Sequence, residues 1–413
     1  MKRHILFALS GLTALLLIFS CKKSDQHPGP PNPTGSIRVS SQVDSGTEVI
    51  FSEPGGKILM DSLFGASTNF TASLSTNAQL IDLTTIQYYS YDQSFYVKTY
   101  KAINPTNWTS VTPLSYSVPV PHPDGPASTV TYLFSTPPNT GPPFSIFSSQ
   151  TPGYSGGYSY VSTPVPILTI NYTRLGDYPV YLLFTANGQY NFYTPRTTAD
   201  TIKNPVMDTA QFIKPALAAE YTTVAQLSLN AYLDTTNFVN SVSLLPFTWG
   251  QNLLTQGLLV PKQPFIEKYE LSTTLFGNAD NATFYSYADS VPSVFPIPDP
   301  SYYSLASTQL NDFSVTFPKT KPTFYITTWS IGNISWNIVT SSDSTTLHPQ
   351  QSLPLLQGSK LLKNKDFSSS SFANLALELA EGFDYEGFVN YTFDSVAVKN
   401  KRIASFVEYS KAY

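Results

Sequence analysis

Trp329-Ser330-Ile331-Gly332-Asn333-Ile334-Ser335-Trp336 reads as two strands joined by a two-residue turn. Its apolar residues alternate with serine at period two, and Gly-Asn suits the positive φ of a tight hairpin turn. With Gly332-Asn333 as the turn, Ile331 faces Ile334 and Trp329 faces Trp336, a cross-strand tryptophan pair. Buried, such a pair is a packing device worth about 0.5–1.5 kcal/mol beyond its area. Exposed, it is a flat apolar platform for sugar rings. Trp329 and Trp336 are therefore both core candidates and ligand-binding candidates.

The same pattern recurs along the chain. Val49-Ile50-Phe51-Ser52, then Glu53-Pro54-Gly55-Gly56, then Lys57-Ile58-Leu59-Met60-Asp61 reads as a hairpin, with Pro setting φ at the second turn position and Gly accepting positive φ at the third. Val180–Thr185 and Gln189–Tyr193 flank Ala186-Asn187-Gly188, a second hairpin. Further strands are expected at Phe70–Leu74, Leu80–Tyr89 and Phe95–Tyr100. Leu375, Leu377 and Leu379 alternate, as do Phe383 and Tyr385, and read as strands. Composition agrees: 27 Tyr, 27 Phe and about a quarter Ser plus Thr suit pleated, half-buried surfaces, and 33 Pro oppose long helices. The expected fold is all-β, with two or three tandem antiparallel β-sandwich (Ig-like) modules.

Pro119-Val120-Pro121-His122-Pro123-Asp124-Gly125-Pro126 cannot pair as a central strand and marks a boundary. A polar patch over Asp208–Glu220, with helical character broken at Pro215, marks a second. The expected modules are residues 36–118 and 127–220, followed by a β-rich region over 221–413.

The chemistry is sparse. Cys21 is the one cysteine in 413 residues, which excludes disulfides and thiolate metal sites. Gly153-Tyr154-Ser155-Gly156-Gly157 has the spacing of a nucleophile elbow, but Thr151-Pro152 before it and β-formers after it point to a glycine-rich loop. His27, His122 and His348 each lie near proline in polar sequence, so no general base or clustered zinc ligands emerge, and neither metal nor other cofactor is expected. Glu378, Glu381, Asp384 and Glu386 form the densest acidic group and read as solvated positions, although a glycosidase carboxylate pair is spatial and hidden from sequence. Tyr302-Tyr303, after Pro296-Ile297-Pro298-Asp299-Pro300, is a second aromatic candidate for ligand contact.

Met1-Lys2-Arg3-His4 and the apolar run Ile5–Phe19 form a charged n-region and a short h-region, an export signal over residues 1–20. Leu17-Ile18-Phe19-Ser20-Cys21 resembles a bacterial lipobox, which implies cleavage before Cys21 and lipid attachment to its sulfur. Residues 21–35, with His27-Pro28-Gly29-Pro30-Pro31-Asn32-Pro33, then read as an extended tether. Cleavage would remove Lys2 and Arg3 from 23 basic side chains set against 27 acidic ones, a mature charge of −6, which argues against a nucleic-acid partner.

Asp followed by Ser or Thr and an aliphatic residue or Thr occurs at Ser62, Thr201, Thr209, Thr235, Ser290, Ser344 and Ser395, where chance gives about two matches. This pattern resembles the O-glycosylation acceptor of Bacteroidota. With the lipobox, the chain resembles a Bacteroidota cell-envelope lipoprotein, and the first hairpin with its Gly-Gly turn resembles small regulatory β-sandwiches over about residues 36–118. The resemblance implies a lipid-anchored protein of the cell envelope, at the outer membrane. The functional expectation is a non-catalytic lipoprotein that binds a glycan or an envelope partner protein through exposed aromatics. The competing expectation is a β-sandwich polysaccharide hydrolase using a carboxylate pair.

Overall fold

In the computed structural model, Trp329 pairs with Trp336 and Ile331 with Ile334. Gly332 takes φ 59° and Asn333 stays at negative φ, as in a type II′ turn. The structure describes residues 36–113, 127–137, 144–148, 156–162, 164–175, 179–184, 186–194, 199–214, 216, 221–235, 241–245, 257–277, 280–295, 297, 302–367 and 369–413. The expected signal over residues 1–20, Cys21, the expected tether, the proline-rich stretch at 119–126 and the stretch Gly153–Ser155 lie outside the described residues, as do His27 and His122.

The tryptophan hairpin, β23 (Phe324–Ile331) and β24 (Ile334–Ser341), is the middle of a twelve-stranded sheet. Beyond β23 follow β26 (Ser370–Ala380), β27 (Ser405–Ala412), β20 (Asp280–Ala288), β19 (Lys268–Gly277), β16 (Tyr221–Tyr232) and β17 (Ser241–Leu245). Beyond β24 follow β6 (Ser94–Ile103), β5 (Ile81–Tyr89), β2 (Thr47–Ser52) and β3 (Ile58–Phe64). One ladder in this sheet is parallel: Ile334–Val339 of β24 run beside Phe95–Tyr100 of β6. All-β architecture is thus as expected, but the sheet crosses the boundary drawn after residue 118. Strands before residue 104 and strands after residue 220 share hydrogen bonds, because edge strand β24 satisfies its second row of backbone groups on β6.

Two smaller sheets enclose their own core between residues 127 and 209. One is β13 (Ala199–Lys203), β7 (Ala127–Phe134), β10 (Ile167–Leu175) and β9 (Gly156–Val161). The other is β14 (Asp208–Thr209), β12 (Gln189–Tyr193), β11 (Val180–Phe184) and β8 (Phe144–Ser148). Tyr132, Phe134, Ile170, Tyr172, Leu182 and Phe184 fill the space between them. The remaining strands are β1 (Ser36–Val43) with β4 (Thr68–Ser75), β15 (Gln211–Ile213) with β18 (Leu258–Val260), and β21 (Ser304–Gln309), β22 (Asp312–Thr316) and β25 (Thr346–Leu347). A 3₁₀ turn, Pro349–Ser352, leads into α1 (Leu353–Gly358); α2 (Tyr385–Phe393) and α3 (Ser395–Asn400) lie between β26 and β27.

Three local expectations change. The helical patch at Asp208–Glu220 is instead β14 and β15 over its described part, because Asp208 and Thr209 pair with β12 and Gln211–Ile213 with β18. Phe383 and Tyr385 do not continue as strand. Gly382 turns the chain at φ 78°, and Asp384 caps α2 by accepting from Gly387 N at 2.7 Å. In the Glu53–Gly56 turn, positive φ (85°) falls on Gly56, the fourth position, with Gly56 N donating to Glu53 O at 2.8 Å. The Leu375 and Leu377 alternation holds, both being buried on β26.

The large sheet buries both faces near its centre. One carries Tyr325, Trp329, Trp336, Leu375 and Leu377 beneath Phe313, Val315, Leu355 and Leu356. The other carries Tyr100, Phe324, Val339 and Phe406 beneath Phe388, Val389 and Phe393 of α2. Trp336 Nε1 donates to Thr99 Oγ1 at 3.0 Å, so the indole also bridges the parallel ladder. Toward the β16 side, buried Glu270 accepts from Tyr232 and Tyr285 hydroxyls, both at 2.8 Å, with Arg402 Nε 3.9 Å away. Trp336→Ala is expected to cost about 3–5 kcal/mol in chemical denaturation; an unchanged midpoint would contradict its burial.

Candidate functional site

The tryptophan pair is buried, Trp329 at 1% and Trp336 at 0% exposure, which corrects the reading of the pair as an exposed sugar platform. Large indoles on a central hairpin leave water when a second layer is available to cover them. Tyr303 is also buried, and Tyr302 is half-buried with Lys319 Nζ 5.7 Å from its ring. Neither tyrosine forms an exposed patch.

Trp329 nevertheless borders a cleft of about 600 Å³. Its aromatic wall is made by a β-bulge. Thr328 pairs with Asn374 but Trp329 pairs with Phe372, so Ala373 is an extra residue on β26. Strict alternation would send Phe372 to the opposite face; the bulge brings its ring to 5.4 Å from Trp329. The Ala373 carbonyl continues the β26–β27 ladder by accepting from Tyr413 N at 2.9 Å, which seats the half-exposed Tyr413 ring 5.1 Å from Phe372. Tyr413 and Tyr303 share a hydroxyl hydrogen bond of 2.5 Å, and burial raises both phenols above their ordinary pKa, so each stays neutral.

The opposite rim is polar and uncharged: Gln309, Asn311 and Gln350 with Ser370 and Ser371. Gln350 N donates to Leu310 O at 3.0 Å, and His348 Nδ1 lies 2.8 Å from Asn311 O, fixing the β21–β22 turn against the 3₁₀ turn. Aromatic faces suit the C–H faces of a pyranose, and amides both donate and accept to its hydroxyls. No lining side chain is charged among the described residues, which favours a neutral ligand.

A second aromatic feature went unread in the sequence. At the β5–β6 hairpin tip Tyr88, Tyr89, Tyr91 and Tyr96 are all exposed, Tyr91 at 99%, and Tyr89 meets Tyr96 edge-on at 4.8 Å. The run Tyr88-Tyr89-Ser90-Tyr91 was the available signal, since its tyrosines sit at the turn where no layer covers them.

The acidic group also separates. Glu381 is exposed, Asp384 caps α2, and Glu386 is exposed on its first turn, whereas Glu378 is 3% exposed and directly opposite Glu408 on β27. Its reading as a solvated position is corrected, because residue 378 faces the layer formed by α2. Burial, then the neighbouring Glu408 charge, pushes the Glu378 carboxyl well above the carboxylate range, with Lys98 opposing; burial also raises Glu408. Glu378 Oε2 and the Tyr100 hydroxyl lack hydrogen-bond partners among the described residues. No group of three metal-ligating side chains occurs among the described residues.

Comparison with known proteins adds no relationship: no family model matches the chain, and no curated protein matches it.

A raised folded-state carboxyl favours the protonated form. Its contribution is complete below the pKa of an unfolded glutamate, about 4.3, and is lost as pH rises through the folded value. Glu378→Gln is therefore expected to raise the melting temperature by roughly 2–5 °C at alkaline pH, with the gain vanishing near pH 4. Thermal unfolding across that range checks this, and a gain independent of pH would contradict the buried charge.

Proposed function

We propose that the protein is a lipid-anchored envelope protein that binds a neutral glycan in the cleft walled by Phe372 and Tyr413, with Trp329 buried behind them. The observation that carries the reading is the pairing of an aromatic wall with a rim of amides and hydroxyls that holds no charge. The anchor is Cys21, with residues 21–35 as tether and the outer membrane as its location. The seven Asp-Ser/Thr hydroxyls support an exported, O-glycosylated chain, since none of them is buried. A mature charge of −6 speaks against nucleic acid.

Hydrolysis is the second reading, and one observation favours it. Glu378 and Glu408 are directly opposed on β26 and β27, an acid held protonated by burial beside a second carboxyl, the two groups a glycosidase needs, although the pair lines neither cleft.

Affinity electrophoresis of the full chain through neutral polysaccharides tests the first reading. Retardation is expected, and Tyr413→Ala should weaken it roughly two- to twelvefold, the worth of one aromatic contact. Tyr91→Ala should leave it unchanged; loss in that variant instead would move the site to the hairpin tip, and no retardation on any glycan would turn the reading to a protein partner. Release of reducing ends that disappears in Glu408→Gln would establish hydrolysis. Cys21→Ala is expected to move the protein from the membrane fraction to the soluble fraction; continued sedimentation with membranes would overturn the anchor.

A further inference from the structure

A second cleft, of about 560 Å³, opens on the same sheet face at the carboxyl ends of β6 and β24. Its chemistry is unlike that of the aromatic cleft. Adjacent strands set Thr340, Lys101, Asp82 and Ser52 side by side on its floor. Lys101 pairs with one oxygen of Asp82, and Ala102 N, at φ 53°, donates to the other at 2.8 Å. That carboxylate is held from both sides and presents a fixed edge to the cavity. Ser52 and Thr340 are 2% and 4% exposed, and neither hydroxyl has a side-chain hydrogen bond among the described residues. Neither oxygen is among the buried side-chain atoms without a partner, so both are open to the cavity, where the hydroxyls of a ligand can pair with them.

The rim is acidic. Asp343 is paired with Lys321, and Asp384 is occupied as the α2 cap. Glu386 has no ion-pair partner among the described residues, and burial together with the Asp384 charge pushes its carboxyl up. Four carboxylates therefore line the cleft against one ammonium, that of Lys101. A cation beside Glu386 and Asp384 would relieve their repulsion.

We infer that this cleft is a second ligand site, for a hydroxylated primary amine of amino-sugar size, its ammonium beside Glu386 and its hydroxyls over Ser52 and Thr340. The volume lies within the range of small-molecule pockets, roughly 300–1,000 Å³. The 3₁₀ turn and α1 wall it off from the aromatic cleft: Gln350 and Leu353 face the first cavity, while Gln351, Ser352 and Leu355 face the second. The two sites are thus separate in space and different in charge preference, one neutral and one cationic.

Calorimetric titration of the full chain in detergent, near neutral pH, with glucosamine, glucose and N-acetylglucosamine tests this. Saturable glucosamine binding is expected, at least about tenfold tighter than either neutral sugar. Glu386→Gln should weaken it about tenfold and Thr340→Val several-fold, while Tyr413→Ala in the other cleft leaves it unchanged. Absence of saturable glucosamine binding, equal binding of glucose, or full affinity in a folded Glu386→Gln protein would each overturn the site. Loss in Tyr413→Ala alone would assign the sugar to the aromatic cleft instead.

Discussion

The parallel ladder between β6 and β24 is the contact on which the rest of the architecture depends. It joins Phe95–Tyr100 to Ile334–Val339 and so fuses a four-strand early segment of the sheet to a late one. Parallel pairing is slightly weaker per residue than antiparallel pairing, and closing so long a loop is entropically unfavourable. The ladder persists because the side chains on both its faces are covered: Trp336 and Val97 on one, Tyr100 and Val339 on the other. The Trp336 indole bond to Thr99 adds a directional link across it.

One of the two cavities follows from that fusion. The charged cleft needs Asp82 and Lys101 from the early strands beside Thr340 from the late ones, and it lies where the two parallel strands end. The aromatic cleft lies toward the other end of the same face, where the bulge at Ala373 turns Phe372 toward Trp329 and the last rung of the β26–β27 ladder holds Tyr413. A single extra residue on β26 thereby converts a regular strand into one wall of a cavity. The short 3₁₀ turn with α1 serves both, presenting Gln350 and Leu353 to one side and Gln351, Ser352 and Leu355 to the other.

The buried polar groups are distributed by the same geometry. Glu270 is fully served by Tyr232, Tyr285 and Asn230, with Arg402 close by, so it is a fixed part of the β16–β19–β20 region. Glu378 is not so served, since its cross-strand neighbour is another glutamate and one of its oxygens is unpartnered. A carboxyl in that setting is held neutral by desolvation. The two sites illustrate how one sheet face can bury a charge with complementary donors in one row and without them a few strands away.

From local pattern alone the strands and hairpins were legible: the Ile331–Ile334 and Trp329–Trp336 register, the Val180–Tyr193 hairpin and the Leu375–Leu377 alternation all rest on period-two chemistry and turn residues that act within a few positions. The resemblance of Leu17–Cys21 to a lipobox is likewise local and chemical. What local pattern could not determine was which face of a strand gains a covering layer, because that depends on elements hundreds of residues away. Trp329 and Trp336 are buried by β21, β22 and α1, Tyr91 stays exposed because nothing reaches the hairpin tip, and Glu378 meets Glu408 only once β26 and β27 are neighbours. Residue type and alternation thus determined the β-strands, while the joining of distant strands decided burial, cavities and the company each charge keeps.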